Sequence, residues 1–150
     1  MYGDTDVMRR RVLQLREQGG DIRALADRLV ARTEAVGWSG RAAETMRERV
    51  RERAGHLRDA AADHDAAADS LERHAQEVGL LQETIGERER RAATLVADAR
   101  ARVAAVQAHA DDDAALGVRR LADPADEQVA GFDAPPAGHR DWLTVELPGL

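Results

Sequence analysis

Gly37-Trp38-Ser39-Gly40 interrupts two long helical patterns and decides how the rest of the chain is interpreted. Two glycines and a serine within four residues favour a turn, because glycine adopts backbone conformations closed to other residues and serine caps helices well. A short turn between two amphipathic helices makes an antiparallel helical hairpin. We predict that Gly37 ends the first helix in the left-handed conformation, that Ser39 caps the second helix, and that Trp38 lies at the hairpin tip.

A seven-residue apolar repeat precedes the turn and predicts a first helix over about residues 5–36, with the turn at 37–40. One row of this repeat is mostly small, which would let another helix approach closely; it contains Val12, Gly19, Ala26 and Thr33. The neighbouring row holds the large residues Met8, Leu15, Ile22, Leu29 and Val36. We predict that both rows belong to the helix-packing face.

The repeat resumes after the turn and predicts a long second helix over about residues 41–110. Its larger apolar members are Val50, Leu57, Leu71, Val78 and Ile85. A sustained seven-residue repeat with charged flanks indicates coiled-coil packing, so we predict an all-α hairpin that dimerises into a four-helix bundle or coiled coil. The first helix is too short to cover all of the second. Residues 76–110 therefore either continue as a helix or fold back as a third helix.

The hairpin is predicted to form one domain over residues 1–115, followed by an acidic, flexible tail over residues 116–150. Glycine and proline are frequent there, and the helical repeat is lost. Residues 141–147 differ from the rest of the tail because they carry the apolar residues Trp142, Leu143 and Val145. These residues form a candidate docking segment; the alternative is a disordered end with a few apolar residues.

Charge and composition exclude several classes of function. The net charge is −6, and residues 111–150 carry nine acidic residues against three arginines, so the whole excess lies in these last 40 residues. A neutral body with an acidic tail argues against nucleic acid as a partner. No apolar run is long enough for a membrane span, and no signal peptide is visible. We find no cysteine, phosphate-binding loop, catalytic grouping or metal-ligand spacing, and so expect no enzymatic activity, metal or cofactor.

The placement of Trp38-Ser39-Gly40 between two heptad helices resembles the WXG family of type VII (ESX) secretion substrates, the ESAT-like helical hairpin proteins of actinobacteria. The resemblance covers roughly residues 5–85. It implies a hairpin that pairs with itself, with a related WXG-like protein or with a larger effector, and that engages the type VII secretion ATPase. It also implies a protein that is cytoplasmic before export and is secreted without a cleavable signal peptide.

The family's second export motif, Tyr-x-x-x-Asp/Glu beyond helix two, has no exact counterpart in this chain. His109-x-x-x-Asp113 has the right position but histidine in place of tyrosine, which makes His109 and Asp113 a candidate variant signal. Tyr2-x-x-x-Asp6 has the right spacing but lies at the opposite end. The alternative function is an intracellular coiled-coil scaffold or oligomerisation protein with no export role.

Overall fold

The computed structural model describes residues 5–150; Tyr2, and with it the Tyr2-x-x-x-Asp6 motif, lies outside the described residues. The described chain contains helices and no strand, which confirms the prediction of an all-α fold. The helices are α1 (Thr5–Ala35), α2 (Arg41–Ala108), α3 (Ala110–Ala115) and α4 (Pro124–Ala130), followed by a 3-10 turn at Arg140–Thr144. Residues 76–108 thus continue α2 and do not fold back as a third helix.

The described chain forms two compact units, one ending at Gly79 and the other comprising Leu80–Leu150. This division differs from the boundary predicted near residue 115, because residues 116–150 are not an independent tail. They pack against the second half of α2 and form the Leu80–Leu150 unit together with it.

In the unit that ends at Gly79, α1 and the first part of α2 are linked by ion pairs whose order shows that the two helices run antiparallel. Partner numbers in α2 fall as residue numbers in α1 rise. The pairs are Arg16 with Asp69 (3.0 Å) and Glu72 (2.7 Å), Arg23 with Asp65, Asp27 with Arg58 (2.7 Å), and Glu34 with Arg51 (3.2 Å). Each pair is largely exposed and therefore contributes little to stability. Apolar packing must therefore supply most of the free energy that holds α1 against α2.

Small residues make the closest packing between α1 and α2. The buried positions include Val12, Gly19 and Ala26 in α1, and Ala54, Ala61, Ala68 and Ala75 in α2. A Cβ atom placed on Gly19 would lie 3.2 Å from the backbone oxygen of Ala61. The glycine therefore permits an approach that a larger residue would prevent.

The Leu80–Leu150 unit has a larger apolar cluster, to which α2 contributes one face. The buried members are Ile85, Ala92, Ala99, Val129, Trp142 and Leu147. The ring centroids of Phe132 and Trp142 lie 6.2 Å apart with the planes tilted by 58°, a favourable aromatic arrangement. A buried side chain of this size contributes about 1.5–3 kcal/mol, which explains why a glycine- and proline-rich segment is held in place.

Arginines of α2 fix the backbone and side chains of the C-terminal segment. Arg100 donates to the carbonyl oxygen of Ala130 at 3.0 Å. Arg102 donates two hydrogen bonds to Asp126, at 2.9 Å and 2.6 Å. These bonds lower the pKa of Asp126 below its ordinary value, because they stabilise the ionised carboxylate.

Candidate functional site

The turn between α1 and α2 is built by backbone hydrogen bonds around one residue with positive φ. The N–H of Trp38 donates to the carbonyl oxygen of Val36 at 2.8 Å. Gly40 has a φ of +100°, which favours glycine, and its carbonyl oxygen accepts the first helical bond of α2 from Glu44 at 3.1 Å. Gly40, and not Ser39, therefore occupies the N-cap position.

The prediction that Gly37 adopts the left-handed conformation is wrong, because the positive φ of this turn lies at Gly40. The turn needs only one positive φ, and Gly40 supplies it immediately before α2 begins. Ser39 is exposed in the turn. The W-x-G spacing thus places the tryptophan two residues before the glycine that starts the second helix.

The side chain of Trp38 projects outward from this turn and is 67% exposed. Its backbone is nevertheless held, because Arg47 of α2 donates from Nη2 to the Trp38 carbonyl oxygen at 2.5 Å. Large aromatic side chains are usually buried, so an exposed one on a fixed backbone is an informative feature.

Further apolar side chains surround Trp38 and form a shallow pocket. Val36 is 41% exposed and Met46 is 50% exposed, while Ala43 forms the buried floor. We call this the tip surface; it is lined by Arg32, Thr33, Val36, Trp38, Ala43, Met46 and Arg47. An exposed apolar patch with arginines at its edge has the chemistry of a protein-binding site.

The predicted packing residues fall into three groups. Val78 and Ile85 are buried. Leu29 and Val36 are exposed, at 38% and 41%. The half-buried group consists of Leu15, Ile22, Val50, Leu57 and Leu71. The large residues of α1 and of the first part of α2 therefore border the small-residue contact and leave part of their apolar surface in water.

The candidate export residues occupy the break between α2 and α3. His109 is exposed and precedes the first residue of α3, while the side chain of Asp113 is only 13% exposed. The N–H of Asp113 donates to the His109 carbonyl oxygen at 2.9 Å, and Oδ2 of Asp113 lies 3.2 Å from Nε of Arg120. The motif is therefore one helical turn in which the histidine faces solvent and the carboxylate faces an arginine.

The three residues of the candidate docking segment have different environments. Trp142 is buried at 4% exposure, and its Nε1 donates to the carbonyl oxygen of Pro136 at 3.1 Å. Val145 packs at the edge of the same cluster, whereas Leu143 is 36% exposed. Leu147, which the sequence analysis did not single out as a docking residue, is buried with Trp142.

Residues 5–150 contain no group of three or more His, Asp or Glu side chains arranged to hold a metal ion. Over the same residues, no helix combines the length and the apolar character required to cross a lipid bilayer. Comparisons with protein-family models, curated proteins and solved structures returned no match for this chain.

Proposed function

We propose that this chain is a protein-binding hairpin that acts in type VII secretion, as a substrate or as the partner of a larger effector, and that Trp38 is its recognition residue. The exposure of Trp38 on a fixed turn is the observation that carries this proposal. An exposed indole on a rigid backbone presents a large apolar area at little ordering cost, and tryptophan is frequent among binding hot spots.

Pairing through the hairpin is the second part of the proposal. Five half-buried apolar residues of α1 and α2 support it, because pairing would remove their remaining apolar surface from water. They are Leu15, Ile22, Val50, Leu57 and Leu71. A second hairpin of the same kind presents matching apolar residues, and packing the two hairpins together forms a four-helix bundle. The partner is a second copy, a related WXG-like protein or a helical segment of a larger effector.

The resemblance of the W-x-G turn supports the assignment to secretion. In this proposal, the tip surface is contacted by the secretion ATPase or by the effector, and His109 with Asp113 forms the variant export signal. Export without a cleavable signal peptide follows from the same resemblance. The competing proposal, an intracellular scaffold, needs the paired hairpin but assigns no role to Trp38.

A pair of alanine variants tests the role of Trp38. Leu13 is a matched control because, like Trp38, it is large, apolar and about two-thirds exposed, at 66%. It lies in α1, outside the tip surface. Each variant is co-expressed with the products of the neighbouring genes to measure partner capture. It is also expressed in cells that carry a type VII secretion system to measure export. We expect Trp38→Ala to remain folded and paired but to lose partner capture or export, while Leu13→Ala retains both. Normal capture and export of Trp38→Ala would exclude a recognition role and favour the scaffold.

A further inference from the structure

The connection between α3 and α4 has no regular secondary structure and carries two adjacent arginines. Gly117, with a φ of +70°, ends the helical region, and the N–H of Val118 donates to the carbonyl oxygen of Asp113 at 2.7 Å. Residues 118–123 then have no regular secondary structure. We call residues 116–123 the arginine loop because it contains Arg119 and Arg120.

Arg119 and Arg120 are distinguished from every other arginine of the chain by their backbone. The remaining arginines all lie in α1, in α2 or in the 3-10 turn. A protease binds its substrate as an extended strand, so a helical arginine becomes accessible only after local unfolding. The arginine loop is already free of helix in the folded protein, so no helix has to open before a protease can draw it into a strand.

Three large apolar side chains flank the arginine pair and face solvent. Leu116 is 79% exposed, Val118 is 49% exposed and Leu121 is 72% exposed. These side chains contribute little to the folded core. Exposed apolar residues on both sides of a non-helical arginine pair are the chemistry that neighbouring pockets of a protease cleft accept.

We propose that the arginine loop is a proteolytic processing site for an endoprotease that recognises arginine. Arg119 is the better recognition residue, because the guanidinium of Arg120 lies 3.2 Å from Asp113 whereas Arg119 projects into solvent. Water adds across the Arg119–Arg120 peptide bond: the carbonyl carbon of Arg119 becomes a carboxylate, and the nitrogen of Arg120 becomes a free amine.

Cleavage at this point separates two segments that remain in contact without a covalent link. The C-terminal fragment still contains Val129, Trp142 and Leu147, which pack against α2. The high effective concentration provided by the loop is lost on cleavage, so the fragment becomes a peptide that can dissociate. This inference goes beyond the proposed function and does not depend on Trp38.

Controlled digestion of the full chain with trypsin, followed by intact mass measurement over time, tests the geometry. We expect the first products to end or begin between Arg119 and Leu121. The variant Arg119→Gln/Arg120→Gln should slow the first cleavage by about tenfold or more, since nearly all of the remaining arginines lie within α1 or α2, where cleavage requires helix opening. Arg90→Gln/Arg91→Gln is the matched control, because it removes an adjacent arginine pair within α2, and should leave the first cleavage unchanged. A first cut within α1 or α2 would overturn the inference.

The same two variants test processing in the cells that naturally produce the protein. We expect the unmodified chain to be recovered there partly as a fragment that ends at Arg119 or Arg120. The control variant should give the same fragment, and Arg119→Gln/Arg120→Gln should be recovered at full length. Recovery of the unmodified chain only at full length, from both cells and medium, would show that the loop is accessible but is not a processing site.

Discussion

The guanidinium group of Arg88 in α2 donates from Nε to the carbonyl oxygen of Trp142 at 2.6 Å. Its Nη2 donates to the carbonyl oxygen of Val145, also at 2.6 Å. One side chain thus satisfies two backbone acceptors, one inside the 3-10 turn and one immediately after it. Because both acceptors lie beside the apolar cluster, water cannot easily replace the arginine.

Arg88→Gln should therefore destabilise the Leu80–Leu150 unit by about 1.5–3 kcal/mol, which is the range for hydrogen bonds to charged groups. Arg91→Gln is the control: Arg91 lies on the same helix and is exposed, and its side chain makes no hydrogen bond to any of residues 5–150. Its effect should stay within about 0.5 kcal/mol. Urea unfolding of both variants measures the difference, and equal midpoints would show that the Arg88 bonds do not hold the segment.

The two tryptophans should respond in opposite ways to the same substitution. Trp142→Ala removes a buried side chain and should cost about 3–5 kcal/mol. Trp38→Ala removes a side chain that is 67% exposed and should change stability by only about 0.5 kcal/mol. Each variant retains one tryptophan, so fluorescence provides a second measurement. Emission from Trp38→Ala should lie at shorter wavelength than emission from Trp142→Ala, and the reverse order would contradict the assigned burial.

Neighbouring glycines in α1 provide a test of the small-residue contact. A side chain at Gly19 meets the Ala61 backbone oxygen, whereas a Cβ on Gly20 has nothing within 4 Å. Gly19→Val should lower stability by about 1–3 kcal/mol through overpacking. Gly20→Ala should raise it by about 0.5–1 kcal/mol, because alanine favours the helix. Thermal unfolding monitored by circular dichroism measures the stability of both variants. Stabilisation by Gly19→Val would mean that the two helices are not in close contact at this position.

The pair formed by Arg102 and Asp126 predicts a pH dependence with a definite sign. The pKa of Asp126 is lowered mainly by hydrogen bonds from Arg102. A lowered folded-state pKa contributes stability above the ordinary value of about 3.9, and this contribution is lost as the pH falls through the lowered value. Arg102→Gln should return the pKa of Asp126 towards its ordinary value in an NMR titration, while Arg100→Gln, which removes a bond to the Ala130 carbonyl, should not. An unchanged pKa in Arg102→Gln would exclude this cause.

The sequence predicted the two long helices well because their boundary is strongly marked. Four residues from Gly37 to Gly40 break two regular repeats, and the observed helices end at Ala35 and begin again at Arg41. The fully buried positions were harder to predict. A search for large apolar residues favours Leu57 and Leu71, whereas the buried positions are the alanines four residues further along, Ala61 and Ala75.

Alanine is too common in this chain for any one alanine to attract attention. The signal that identifies Ala54, Ala61, Ala68 and Ala75 is their seven-residue spacing together with Gly19 and Ala26 in the opposing helix. The C-terminal segment was difficult for a related reason. Its few core residues, such as Trp142 and Leu147, are separated by polar residues and turns, so the composition resembles that of a flexible tail.

The packing of Trp142 and Leu147 against α2 also affects the order in which the protein can fold during synthesis. Contacts between α1 and α2 require only residues up to about Ala75, so they can form while the ribosome is still translating the rest. Ile85 and Ala92 cannot be covered until Leu147 has left the ribosome. The second half of α2 therefore remains exposed in the nascent chain after α1 and the first part of α2 have packed, and a chaperone that binds apolar surface would protect it during that interval.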